Sequence, residues 1–394
     1  MTKKKRYSKL EVEILATVSG DISLKDIHLI EDPSNIWLEY AQPKQEKPKK
    51  KVKKRKKKGY YKKRRRERYP RDESAYNQSQ EEEFPLFLKY LRPAVNYILD
   101  KYLPTGSSYE YYLKLHNNLI CLCLKKNYGK SLRRSMGFIR YMVSREFPDV
   151  KVPCFKSLDN YQNNPVVSFY ADKILEATSK PLSSIETGFT TDGTGEATCS
   201  YSTWYSIKVG KECRKKDHKM AEVTSTIKLN AAVVVDVLDY EDKNLMQDHV
   251  EIISRSFTIK HWSADNFYLT RDNCTSVRAK GGKAHIRIRE NNITDAKGSP
   301  EWKRTVTLQK QKDEQELNDL NMRQNGESTN SAKKRKFGSY TLCVNDWSQV
   351  NDIKLSWCCY NFSVLSRAYF EYGIVPEFLT HKFSRCFFRL GVYT

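Results

Sequence analysis

Between residues 187 and 288 the sequence alternates short β-branched runs with helical stretches, and this alternation constrains the fold more than any other feature. Residues 187–191 are a short β-branched run, followed by the turn pair Asp192-Gly193. Residues 222–237 are rich in Val, Ile, Thr and Ala, with one break near Asn230-Ala231, and read as two adjacent strands. Residues 244–255 read as a helix and 259–264 as a strand ending at Asp265. Residues 269–279 are a second helix, closed by Gly281-Gly282, and 284–288 a last strand. Three strands, a helix, a strand, a helix and a strand predict a mixed α/β layer structure. Beyond it, 290–304 reads as polar and weakly ordered, and helices return at 310–336 and 350–372.

Ahead of this region, residues 71–182 read as all-helical. Residues 84–99, 109–125 and 131–145 carry apolar positions at three-to-four spacing. Gly129 and Gly137 interrupt the pattern, Pro148 and Pro153 end it, and a short helix follows at 157–161. Short basic helices with tight turns suit a helix-turn-helix reader of DNA. They equally suit an ordinary bundle in which Arg133, Arg134 and Arg140 face water. Residues 1–42 read as a short folded segment or two helices of illegible purpose. Ser8 and Glu11 have capping-box spacing there, and Leu10, Ile14 and Leu15 recur at helical period.

The net charge of +23 is concentrated between the two. Residues 44–68 hold 17 Lys or Arg against two Glu. Like charges this dense repel and bury no core, so residues 43–70 are expected to be a disordered basic linker. Lys53, Lys54, Arg55, Arg64 and Arg65 are its candidate DNA-phosphate contacts. Tyr60, Tyr61 and Tyr69 interleave with them and offer stacking surfaces. A solubilising linker and a nuclear-import signal are the competing readings.

Other classes are disfavoured. No run of about 18 uncharged apolar residues occurs, so no membrane span is expected. The ten cysteines form no CxxC pair and no zinc-finger spacing. Cys121 and Cys123 sit in an apolar helical run and read as core residues, which implies a reducing compartment. His218, His249, His261 and His285 have no HExxH-like spacing, which argues against a zinc hydrolase.

Three carboxylates stand out by position: Asp192 after the first strand, Asp265 after the fourth, and Glu327 in a later helix. Metal-assisted phosphodiester cleavage needs such a set, with two ions about 4 Å apart clamping the reacting phosphate. Hard cations prefer oxygen ligands. Singly the signals are weak, since Asp192-Gly193 also reads as a plain turn. Arg323, Glu327 and Lys334 lie within about 40° of one another around a helix at 100° per residue. That face suits a metal ligand flanked by phosphate-binding cations, or equally a solvated i,i+4 ion pair.

Taken with their order, these segments resemble the DDE transposases of prokaryotic insertion sequences that carry a Tyr-Arg-Glu-Lys signature. Arg323, Glu327 and Lys334 keep the signature spacings, while Leu320 stands at the tyrosine position. Residues 71–77, 152–155, 185–195, 201–205, 263–269 and 334–338 resemble further motifs in the same order, over roughly four-fifths of the chain. Asp239, Glu241 and Asp242, with Asp236 and Asp248 close by, read instead as a turn and its surroundings.

The resemblance implies an RNase H-like, retroviral-integrase-like catalytic domain at 183–378, with a C-terminal tail at 379–394. It implies Asp192, Asp265 and Glu327 as catalytic residues and ligands of two Mg²⁺ (or Mn²⁺) ions. The activity implied is cleavage and strand transfer of mobile-element ends. The implied partners are double-stranded DNA, both terminal inverted repeats and target, and a second copy of the chain in a synaptic homodimer. The implied location is the cytoplasm, at the nucleoid. Trp302 falls where relatives can hold a flipped base, with core packing as the alternative. The competing function is a catalytically inactive, transposase-derived DNA-binding protein.

Overall fold

The computed structural model describes residues 5–7, 29–32, 35–38, 72–198, 218–289 and 298–381. The chain divides into two units, Met1–Arg68 and Tyr69–Thr394. In the first, β1 (Lys5–Tyr7), β2 (Leu29–Asp32) and β3 (Asn35–Leu38) form a small antiparallel sheet in the order β1-β3-β2. The helix expected from Ser8 lies outside the described residues. So do Lys53, Lys54, Arg55, Arg64 and Arg65 of the basic run.

The second unit opens with six helices: α1 (Glu73–Glu81), α2 (Glu83–Tyr102), α3 (Tyr109–Tyr128), α4 (Leu132–Glu146), α5 (Phe155–Gln162) and α6 (Pro165–Ser179). Local chemistry sets their ends. The Asp72 and Ser108 side chains accept from Ala75 and Tyr111 backbone N–H groups, satisfying donors that a helix start leaves orphaned. Gly129 closes α3 in the left-handed conformation. Pro165 opens α6 at a position where its missing N–H costs nothing. Cys121 and Cys123 are fully buried in α3, as their apolar context predicts.

A five-stranded mixed sheet follows: β4 (Gly188–Ala197), β5 (His218–Thr226), β6 (Ala232–Leu238), β7 (His261–Ala264) and β8 (Lys283–Ile286). The spatial order is β6-β5-β4-β7-β8. β4, β5 and β6 pair antiparallel, whereas β7 lies parallel to β4 and β8 parallel to β7. The break expected near residue 230 is the β5–β6 hairpin, where Asn230 takes a φ of 61°. Asparagine is one of the few residues that visit this region routinely. The crossovers after β6 and β7 carry α7 (Leu245–Ser254) and α8 (Arg271–Ala279).

After β8 come α9 (Pro300–Lys310), α10 (Glu314–Asn321), α11 (Gln324–Phe337) and α12 (Asp346–Tyr372). The single helix expected over 310–336 is broken. Lys312 adopts a φ of 58°, and Asp313 caps a new start by accepting from the Glu316 N–H. Part of the stretch expected to be weakly ordered is α9, and its side chains seal one edge of the sheet. Glu301 accepts from Ala284 N, Thr305 donates to Ala284 O, and Gln309 donates to Ile286 O. At the opposite edge Asn361 of α12 bonds both the N–H and the C=O of Ala232. Unpaired sheet edges invite pairing with other chains, and side chains block both here.

The helix α12 runs for 27 residues and is buried almost continuously from Val350 to Ser366. It packs on α1, α2, α3, α6 and β6, so it joins the helices to the sheet. Asp352 receives Lys125 and Lys126 of α3 at 2.6 and 2.7 Å, and these charges hold its carboxyl well below the usual range against the cost of burial. Lys354 meets Asp172 of α6 at 2.7 Å. Among the described residues no helix is long and apolar enough to cross a membrane.

Candidate active site

Asp192 does not end its strand. β4 continues to Ala197, and Asp192 sits opposite Val223 of β5. On the other flank β7 stops at Ala264, which pairs with Thr191. Asp265 is thus the first residue beyond the shorter parallel neighbour, level with Asp192. Strand alternation puts Thr190 and Asp192 on one face of β4. The turn reading of Asp192-Gly193 falls, because both residues are paired within the sheet.

The helix α11 lies over that face. A Cβ on Gly326 would stand 3.1 Å from both the Asp192 Cβ and the Thr190 Oγ1, so only glycine lets the helix come this close. The next residue is Glu327, whose side chain is 56% exposed. Arg323 sits at the junction of α10 and α11. Its guanidinium donates to Glu327 Oε1 at 2.8 Å and lies 4.0 Å from Asp265 Oδ1. Asn330, one turn beyond Glu327, donates to Asp192 Oδ2 at 2.8 Å. Lys334 donates to the Gly195 carbonyl at 2.8 Å, which keeps its amine on β4 beyond Asp192.

Asp192, Asp265 and Glu327 are therefore drawn together from three separate elements, with one arginine shared by two of them. Burial pushes the Asp192 carboxyl up to about 6, and the negative charges of Glu327 and Asp265 add to the rise. The Asn330 amide and the Arg323 guanidinium oppose it. A carboxylate short of compensating positive charge is one that a divalent cation would stabilise. The donor set is all oxygen, which fits Mg²⁺ or Mn²⁺ rather than a softer ion. The three carboxylates do not crowd onto one point. Among the described residues, only His261, His285 and Asp319 bring three donor atoms within 4.8 Å of one another.

Trp302 does not fit the base-holding role. It is 7% exposed within the core, and the Arg271 guanidinium lies 5.7 Å over its ring. Its indole belongs to the packing of α9. Leu320, at the tyrosine position, ends α10 next to Asn321 and is half-buried.

Two groups escaped the sequence reading. Asn330 lies seven residues after Arg323 and four before Lys334, so the same 100° arithmetic puts it on their face. Glu222 had no sequence signal. It is fully buried and accepts a short hydrogen bond from the Tyr268 hydroxyl, while its Oε1 has no partner. Burial pushes its carboxyl up to about 7. Glu222 pairs with Gly193, the residue after Asp192, so this carboxyl lies across the sheet from the three.

A cleft between α2 and α4, lined by Phe84, Lys89, Arg92, Tyr141 and Arg145, contains none of these carboxylates. Arg133, Arg134 and Arg140 are exposed on α4. Compared with models of known protein families and with curated proteins, the chain matches none.

Proposed function

We propose that this protein is a DDE transposase that cuts and joins the ends of a mobile DNA element. The observation that carries the reading is that Arg323 bridges Glu327 and Asp265 while Asn330, one turn beyond Glu327, holds Asp192. The mixed sheet supports it as well. A central β4, flanked by an antiparallel pair on one side and parallel strands on the other, agrees with an RNase H-like domain.

In this reading Asp192, Asp265 and Glu327 would hold two Mg²⁺ ions, which would supply Lewis-acid polarisation of the phosphate and a more acidic attacking water. The chain's own groups do the rest. Asn330 fixes one Asp192 oxygen and leaves the other free. Arg323, which donates to Glu327 and lies 4.0 Å from Asp265, would offer its guanidinium to a DNA phosphate placed beside them. Exposed Arg133, Arg134 and Arg140 of α4 suit phosphate contacts along a duplex. Two copies, one on each element end, would place both cuts in one complex.

A second reading has its own support. The Arg323–Glu327 ion pair occupies one of the three carboxylates, and Leu320 replaces the tyrosine. Both suit an inactive descendant that only binds DNA. The deciding assay incubates the protein and its Glu327→Gln variant with end DNA and Mg²⁺ or Mn²⁺. Nicking and joining by the wild type, with binding alone by the variant, supports the transposase. Binding without cleavage by the wild type, with either ion, gives the second reading its place.

A further inference from the structure

A second set of metal-binding side chains lies on the same sheet face, outside the three carboxylates. His261 is the first residue of β7 and His285 lies in the adjacent parallel strand β8. Nothing in their spacing of 24 residues marks them as a pair. The parallel register sets His285 opposite Ser263, two residues along from His261. Their rings lie 4.4 Å apart and 15° from parallel. Asp319, near the end of α10, completes the group, and one donor atom from each residue falls within 4.8 Å of the others.

The nitrogen chemistry is specific. His285 Nδ1 is 2.9 Å from Glu316 Oε2, and Glu316 also accepts from Arg304 at 2.9 Å. A histidine that donates from Nδ1 to a carboxylate keeps its Nε2 lone pair for a ligand, the usual outer support of a metal-bound imidazole. His285 Nε2 faces Asp319 Oδ2 at 3.9 Å, too far for a hydrogen bond. His261 Nε2 is shielded from solvent and has no hydrogen-bond partner. A buried polar atom left unpartnered costs free energy, and a metal bond removes that cost.

We propose that His261, His285 and Asp319 bind one transition-metal ion, Zn²⁺ being the best match to two imidazoles and a carboxylate. Ligand atoms around tetrahedral Zn²⁺ stand roughly 3.3 Å apart, given bonds of about 2.0–2.1 Å. The donors therefore draw in by up to about 1.5 Å on binding, by turning the two rings and closing Asp319. Asp319 is 26% exposed and marks the side on which the ion enters. Asp319 precedes Arg323 by four residues, and His261 precedes Asp265 by four. The ion would tie together the two segments that carry Arg323 and Asp265.

The test uses the full chain with Asp192→Asn and Glu327→Gln, which removes two of the three carboxylates as competing ligands. The chelator-stripped protein is titrated with Co²⁺ and with Zn²⁺. The expected result is one ion bound per chain, with the visible absorption of four-coordinate Co²⁺ and a thermal midpoint raised by Zn²⁺. His261→Ala and Asp319→Asn should each weaken uptake at least tenfold. Asp319→Asn, on the partly exposed residue, should keep the far-ultraviolet circular dichroism of its parent, so its loss of uptake is not a loss of fold. No stoichiometric uptake by the parent, or uptake unchanged in both variants, overturns the proposal. Neither result depends on DNA cleavage.

Discussion

Asn330 donates one amide hydrogen bond, 2.8 Å long, to Asp192 Oδ2. It links a helix to a strand 138 residues earlier in the chain. Because Asn330 favours the charged form of Asp192, its removal raises a carboxyl already pushed up to about 6. A hydrogen bond to a charged group is worth about 1.5–3 kcal/mol, so if the site binds Mg²⁺ as proposed, Asn330→Ala should move the acid limb of that binding to higher pH by on the order of one unit. Titration of Mg²⁺ affinity against pH in both proteins checks this. An unmoved limb would mean that Asn330 does not tune Asp192.

Gly326 sets how closely α11 approaches β4. A methyl group there meets the Asp192 Cβ and Thr190 Oγ1 at 3.1 Å, and the Asp192 Cβ is fixed by the paired backbone of β4. Gly326→Ala should destabilise the protein by about 1–3 kcal/mol, the usual range for overpacking. It should also displace Glu327 and lower any cleavage more than it lowers DNA binding. Denaturant unfolding gives the first quantity and a cleavage assay the second.

Glu222 gives a stability profile of definite sign. Its folded carboxyl titrates near 7 against an ordinary value of 4.5. The folded state therefore holds a proton that the unfolded state has released. The stability this contributes is complete below pH 4.5 and is lost as pH rises towards 7. The fall is at most about 3.5 kcal/mol. Asp192 adds a change of the same sign over its own lower range. Glu222→Gln should flatten part of the decline, measured by urea unfolding between pH 4.5 and 8 without divalent ions. A variant as pH-sensitive as the wild type would exclude Glu222 as the source.

Lys333 and Glu196 form a buried ion pair at 2.6 Å, with the Lys333 amine also 5.6 Å over the Trp357 ring. Burial brings the Lys333 amine down to about 8. Glu196→Gln leaves that amine without its counter-charge and should cost about 3–5 kcal/mol. Glu196→Leu with Lys333→Met removes both charges and should cost distinctly less. Additive losses in the cycle of Glu196→Leu, Lys333→Met and their combination would show that the two groups are not coupled.

If residues 44–68 contact DNA phosphates, deleting them should weaken binding to any sequence and flatten the dependence of affinity on salt. Binding isotherms at several salt concentrations measure both. An unchanged slope would mark the run as a linker.

The layer order was readable because strand and helix periods differ, and each segment from 187 to 288 carries one or the other. Ends were less readable. Asp192-Gly193 looks like a stop, yet pairing with β5 carries β4 five residues further. The break at Lys312 was hidden because a left-handed lysine has no sequence mark. Arg323, Glu327 and Lys334 were legible through helical arithmetic. The partnership of His261 and His285 was not, because it exists only through the register of two parallel strands.

The carboxylate cluster has a timetable built into it. Glu327 follows Asp265 by 62 residues, and α11 is held in place partly by α12, which begins only at Asp346. A nascent chain that has left the ribosome only through β8 can pair its strands, but it carries two carboxylates and nothing to close over them. The cluster is assembled only once α11 and α12 have emerged, and products of interrupted synthesis that stop before α11 lack it.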